Sequence, residues 1–259
     1  MNYGLYLSAS GAMTNLYRQD VYANNLANVN TVGYKADFAD LRQRAPEAVE
    51  DRLGFDVSHR LLDRLGGGVL AGPQRIDMSP GQLTETGNPL DVALAEEGQF
   101  FAVRTTDSQT GEAQVRLTRD GRFTRNDAGQ LVNVTGHPVL DADDDPITLP
   151  DGGPLRIDAA GRVLVGGEPA ARLQVAEVAD PQQLEKLGAG LFAFDGADPR
   201  QVLDNPSVKA GFVEASGVDP ITTLMRLIGA TKSVASNAQM MRHHDNLMDK
   251  AVNSLGRVA

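Results

Sequence analysis

Asp141, Asp143 and Asp145 are the residues whose type and spacing come nearest to a chemical site. Alternate carboxylates open a calcium loop because positions 1, 3 and 5 turn their oxygens into one concave bend. The remainder of that chemistry is missing: Pro146 stands where glycine makes the sharp turn, and Gly152 stands where a bidentate glutamate closes the shell. A solvated acidic turn fits better. His243 and His244 are adjacent on a helical stretch, so their rings diverge by about 100° and do not form the i, i+4 pair that shares a metal. Gly66, Gly67 and Gly68 lack the strand, lysine and hydroxyl of a phosphate cradle. Asn133-Val134-Thr135 matches a glycosylation acceptor by pattern but falls in an expected strand. No serine elbow or nucleophile-base pairing is visible. The expectation is a protein without catalytic residues, cofactor or metal.

The totals narrow the partners. The chain of 259 residues carries a net charge of −10 and has no basic block interleaved with aromatics, which argues against nucleic acid. No apolar run approaches the roughly 20 residues of a bilayer span, so direct membrane insertion is not expected. Cysteine is absent, which removes disulfides and thiol chemistry. Arg18 is the first positive side chain, and Ser8, Ser10, Thr14 and Asn15 interrupt any apolar leader, so no cleaved secretory signal is expected. Residues 1 to 35 and 220 to 259 hold seven Lys/Arg against three Asp/Glu, leaving 17 against 31 for the middle, so ends and middle present different surfaces.

The elements around these residues divide the chain in four. Over residues 1 to 35, small or apolar side chains recur at Leu5, Ala9, Ala12, Leu16, Ala23 and Leu26, with Gln19 in the remaining place. That 4, 3 spacing is a seven-residue repeat and a stripe too narrow for an ordinary core helix, so the helix needs a partner. Asn28 and Asn30 suit left-handed capping of its end, whereas Asn24 and Asn25 sit a turn earlier, where their amides are placed to bond across to other helices or backbone. Residues 36 to 80 read as an irregular connector: a short amphipathic piece spans Leu53 to Leu65, and GGGVLAGP at 66 to 73 is too glycine-rich for a stable element. Residues 81 to 214 read as a hairpin-rich all-β domain, with Asp127-Ala-Gly129, Asp158-Ala-Ala-Gly161 and Asp120-Gly121 supplying turns. In residues 215 to 259, Asp219 caps and Pro220 opens a helix of roughly 40 residues. Its stripe is Leu224, Ile228, Thr231, Ala235 and Ala238, then, after a slip in register, Met241, Met248, Val252 and Leu255. The fold class is α+β: a discontinuous, coiled-coil-like helical domain from both ends of the chain and a central β domain.

The stretch NNLANVNTVGYK at 24 to 35, through Asn24, Asn25, Leu26, Ala27, Asn28, Asn30, Thr31, Gly33 and Tyr34, resembles the N-terminal signature of the bacterial flagellar basal-body rod and hook family. TGNPLDVALAEEGQFFAV (86 to 103), LTRDGRFTRNDAGQLVNVTGHPVL (117 to 140) and VKAGFVEASGVD (208 to 219) resemble its central and C-terminal motifs. Gly217 departs from the usual asparagine, and Thr231-Lys232 and Val234 depart from the usual Gln-Arg and aromatic, while Asn237 and Asp245 match. SPGQLTETGNPLDVAL is more similar to the proximal than to the distal rod proteins. The resemblance implies terminal helices packed with copies of the chain and with other rod and hook proteins into the axial tube of the basal body. It also implies export through the flagellar type III apparatus without signal cleavage, and the signature turn ending one tube helix. The competing expectation is an extracellular β module, an adhesin or carbohydrate binder, that its helices merely oligomerise; the absence of Trp weighs against it.

Overall fold

The computed structural model describes residues 3–45, 66–106, 111–194, 198–204 and 206–255. The piece expected around Leu53 to Leu65 lies outside these residues. The chain forms two compact units: Met1–Ala27, Asp37–Arg75 and Asp219–Ala259 make a helical unit, and Asn28–Ala36 with Ile76–Val218 make a β unit. The signature turn, expected to belong with the helices, is therefore part of the β unit.

In the helical unit, α1 (Tyr3–Ala27) lies beside α2 (Pro220–Lys250), which ends in a π turn at Ala251–Leu255. Asp219 accepts the Ile221 N–H at 3.0 Å and Pro220 occupies the first turn, as the sequence indicates. The regular α-helix stops after 31 residues, shorter than expected. The connector is not irregular throughout: β1 (Asp37–Gln43) pairs with β2 (Val69–Ile76), which includes part of the glycine-rich run. A two-stranded ribbon is marginal alone, and this one is held by α1. Asn25 exchanges two bonds with the Asp37 backbone, and the Ser10 hydroxyl bonds the Val69 carbonyl at 2.6 Å. Those partners are distant in sequence, which is why local patterning shows only a connector.

The β unit runs β3 (Leu83–Glu85), β4 (Val92–Leu94), β5 (Gln99–Thr106), β6 (Ala113–Thr118), β7 (Phe123–Arg125), β8 (Leu131–Asn133), β9 (Leu155–Ile157), β10 (Arg162–Val165), β11 (Glu168–Arg172) and β12 (Val175–Val178). It continues through β13 (Leu184–Gly188), β14 (Leu191–Phe194), β15 (Arg200–Val202), β16 (Val208–Ala210) and β17 (Phe212–Glu214). Its main sheet is antiparallel, in the order β13-β14-β6-β5-β12-β15. β5 is buried on both faces because its alternation feeds two cores. Phe101 and Val103 pack with Phe123, Leu131 and Val175; Phe100 and Ala102 pack with Leu117, Leu184 and Phe192. Gly129 and Gly161 have φ of 79° and 73°, as their turns require, but Gly121 serves a different need: a Cβ there would sit 1.7 Å from the Val92 carbonyl oxygen.

Candidate assembly surface

The signature asparagines do different jobs. Asn25 is buried, its Nδ2 donating to the Asp37 carbonyl at 2.8 Å and its Oδ1 accepting the Asp37 N–H at 2.9 Å. This imitates a strand partner and fixes the ribbon to the end of α1. Neither Asn28 nor Asn30 takes the expected left-handed conformation; Asn28 instead accepts the Thr31 N–H on its carbonyl and the Thr31 hydroxyl on its side chain, both at 3.1 Å. The positive φ passes to Gly33, at 68°, where a Cβ would lie 2.6 Å from the Arg119 carbonyl carbon. Asn24 and Asn30 are exposed. The Tyr34 ring lies beneath the Lys186 ammonium at 4.2 Å.

Lys35, which sequence reasoning passed over, is the buried centre of this site. Its ammonium donates to Glu214 Oε1 at 2.6 Å and to the Ser79 and Met78 carbonyls at 2.8 and 3.2 Å. Glu214 Oε1 also accepts the Gly81 N–H, and Arg119 Nε approaches Oε2 at 3.4 Å. Burial, then the Arg119 charge, push the Lys35 pKa down against the pull of Glu214; burial likewise lowers Arg119. The acidic turn spends its carboxylates locally: Asp141 Oδ1 accepts the Asp143 and Asp145 N–H groups, and Asp144 pairs with Arg200. Asn133 is buried, and its Oδ1 accepts from Thr135 and His137 as a turn former.

In the helical unit, α1 and α2 are antiparallel: the imidazole of His244 faces Gly4 and the amide of Asn237 faces Gly11. Seven-residue steps along that seam lead to Arg18 opposite Ala230 and Asn25 opposite Thr223, and Ala230, Asn25 and Thr223 are buried. Ser10 and Tyr17, each one residue before a seam position, face the ribbon; burial, then the charges of Asp37 and Asp40, raise the Tyr17 pKa.

The stripes read from the sequence lie elsewhere. Leu5, Ala12, Gln19 and Leu26 each follow a seam residue of α1, and Leu224, Thr231 and Ala238 each follow one of α2. In an antiparallel pair, the same displacement along both chains turns both stripes to one side of the pair; parallel helices would send them to opposite sides. Ala12 is buried and Leu5, Ala9, Gln19, Leu26, Ala238 and Met241 are half-buried, whereas Ala23, Thr231 and Ala235 are exposed. Leu16, Leu224 and Ile228 are 47%, 46% and 47% exposed, and Met248 and Val252 are exposed further along; the Leu255 side chain lies outside the described residues. The stripes are uncharged from Leu5 to Leu26 and from Leu224 to Ala238; Asp245, which follows the seam residue His244, brings an exposed carboxylate to the same side further along.

Residues 5–35 match the family described as flagella basal body rod protein, 96–165 the flagellar hook protein FlgE/F/G D1 domain, and 209–255 the flagellar basal body rod FlgEFG protein C-terminal family. The flagellar basal-body rod protein FlgF of Caulobacter vibrioides is 32% identical over 259 residues, covering 100% of both chains. The chain belongs to the flagellar basal-body rod protein family. The FlgF protein of Rhizobium meliloti is 31% identical over 99% of both chains, and the rod protein FlgG of Agrobacterium fabrum 31% identical over 94% of this chain and 95% of its own. This rod protein is thus a structural subunit of the flagellar basal body, with the proximal position favoured over the distal. Its relatives are structural proteins, and membership of their family implies assembly with other rod and hook proteins. The comparisons lend no support to an adhesin or carbohydrate-binding module. Among the described residues no helix is long and apolar enough to cross a membrane.

Proposed function

We propose that the subunit joins copies of itself and other rod and hook proteins in the axial tube that transmits torque from motor to hook, and that α1 and α2 make the joints. The helices act there as a coiled-coil-like pair drawn from both ends of the chain, and the β domain, centred on residues 81 to 214, faces outward. The interface residues are the two stripes: Leu5, Ala9, Ala12, Leu16, Gln19, Ala23 and Leu26 on α1, and Leu224, Ile228, Thr231, Ala235, Ala238, Met241, Met248, Val252 and Leu255 at the other end. The subunit performs no catalysis. It leaves the cell through the flagellar type III export apparatus with its N-terminal segment uncleaved.

The observation that carries this reading is the side of the α1–α2 pair, uncharged over Leu224 to Ala238 of α2, on which Leu16, Leu224 and Ile228 remain about half exposed. Covering a leucine or isoleucine fully is worth about 1.5–3 kcal/mol, so a neighbour's helix on this side gains from several such residues at once. A small epitope inserted in the exposed turn at 134 to 136 tests the placement. Labelled basal bodies purified from motile cells should carry the label on the rod; label absent from rods in cells that export the tagged chain would overturn the reading.

A further inference from the structure

The chain enters the β unit from α1 through residues 28 to 36, returns to the helical unit at Asp37, re-enters at Ile76 and finally leaves for α2 through residues 212 to 218. These two segments are joined directly. The Gly33 N–H donates to the Glu214 carbonyl at 2.8 Å, the Gly217 N–H donates to the Tyr34 carbonyl at 2.9 Å, and Lys35 Nζ meets Glu214 Oε1 at 2.6 Å. The partners come in the same order on both, 33 before 34 and 214 before 217, so the segments run parallel. The incoming lead is attached at the N-terminal end of one segment and the outgoing lead at the C-terminal end of the other. Once the α1–α2 pair and the bonds between Asn25 and Asp37 yield, tension between these two leads slides the segments past each other and strains all three bonds together. Antiparallel segments pulled in this way would unzip one bond at a time.

We propose that this junction is a mechanical clamp, through which tension between the two leads crosses the β unit without entering its hydrophobic cores. Each segment is anchored in turn. Asp77 N–H donates to the Ala36 carbonyl, Lys35 reaches the Met78 and Ser79 carbonyls, Ala215 N–H donates to the Gln82 carbonyl, and Gly81 N–H donates to Glu214 Oε1. The side chains of Lys35 and Glu214 are each 1% exposed, so water is not at hand to replace their bond as it stretches. Gly33 permits the approach, since a side chain there would strike the Arg119 backbone. The clamp is a property of the single subunit; only its use under torque rests on the rod assignment.

Single-molecule force spectroscopy on the full chain tests it. The sequence has no cysteine, so handles at A27C and I221C load the two leads, while handles at V134C and V202C load an exposed turn and the edge strand β15 of the β unit and bypass the junction. At equal force the first geometry should outlast the second. Gly217→Pro deletes one donor and turns a ring carbon against the Tyr34 carbonyl without changing the Lys35 or Glu214 side chain; it should shorten the lifetime by roughly threefold or more in the first geometry only, the effect of losing at least one hydrogen bond from the barrier. Lys35→Met should shorten it further. Equal lifetimes in the two geometries, or a Gly217→Pro chain indistinguishable from the parent in the first, would overturn the clamp, and the Gly217→Pro result decides even if Lys35→Met does not fold.

Discussion

At the scale of the residue, the signature is a set of side chains with separate partners, and Lys35 has the most at stake. Removing one member of a buried ion pair leaves the other charge uncompensated, so Lys35→Met should destabilise the β unit by about 3–5 kcal/mol, read as a lower denaturant midpoint in equilibrium unfolding. An unchanged midpoint would show that Glu214 finds adequate compensation elsewhere. Asp144 supplies the pH dependence. Desolvation raises its carboxyl, but hydrogen bonds from Gln174 and Arg200 and the charges of Arg200 and Arg104 outweigh that, and the net shift is below the ordinary 3.8. A carboxylate held low contributes stability above the unfolded value that is lost as pH falls through the lower folded one. Asp144→Asn, which tolerates the φ of 64° at this position, should therefore flatten the acid limb of the melting curve below about pH 4. Its cost should be greatest in the neutral region, where the parent carboxylate contributes in full, and should fade in acid as the parent loses that contribution. A bond from Asn25 to backbone was legible in the sequence because capping cannot explain an asparagine a turn before the helix end. Lys35 was not legible, since its partner Glu214 is 179 residues away.

At the scale of the element, the seven-residue repeat was legible in both helices, but the seam between them was not. Hydrophobicity selected Leu5, Leu16, Leu224 and Ile228, whereas α1 and α2 meet through Gly4, Gly11, Ala230, Asn237 and His244. Small and polar residues permit close backbone approach and register by shape, and no apolar pattern marks them. The ribbon was hidden for a related reason: α1 side chains hold it, and its own glycine and proline read as a break. The acidic turn and the hairpin turns at Gly129 and Gly161 were legible because their residues satisfy one another locally. Residues 28 to 36 pack with the β unit rather than with the helix they follow, which no local pattern in that segment marks. A fragment of residues 81 to 214 should accordingly melt at a lower temperature than one in which residues 28 to 36 are fused by a flexible linker ahead of 76 to 218. Equal melting temperatures would mean that the signature segment contributes nothing to the β unit.

At the scale of the whole molecule, labour is divided between the two units. The β unit is stabilised by its own two cores, and the α1–α2 pair keeps a side whose apolar residues the single subunit leaves part-exposed. Substitutions on that side should separate assembly from folding. The most direct test is the amount of Leu16→Asp and Ile228→Asp subunit in basal bodies purified from cells that export each variant at the parental level, with the melting temperature of the purified variants measured alongside. A carboxylate at either position faces water in the free subunit and is desolvated only when a neighbour covers it, at a cost of several kcal/mol. Both variants should melt like the parent, be absent from rods and abolish motility. Rods carrying either variant at parental occupancy, in motile cells, would contradict this division.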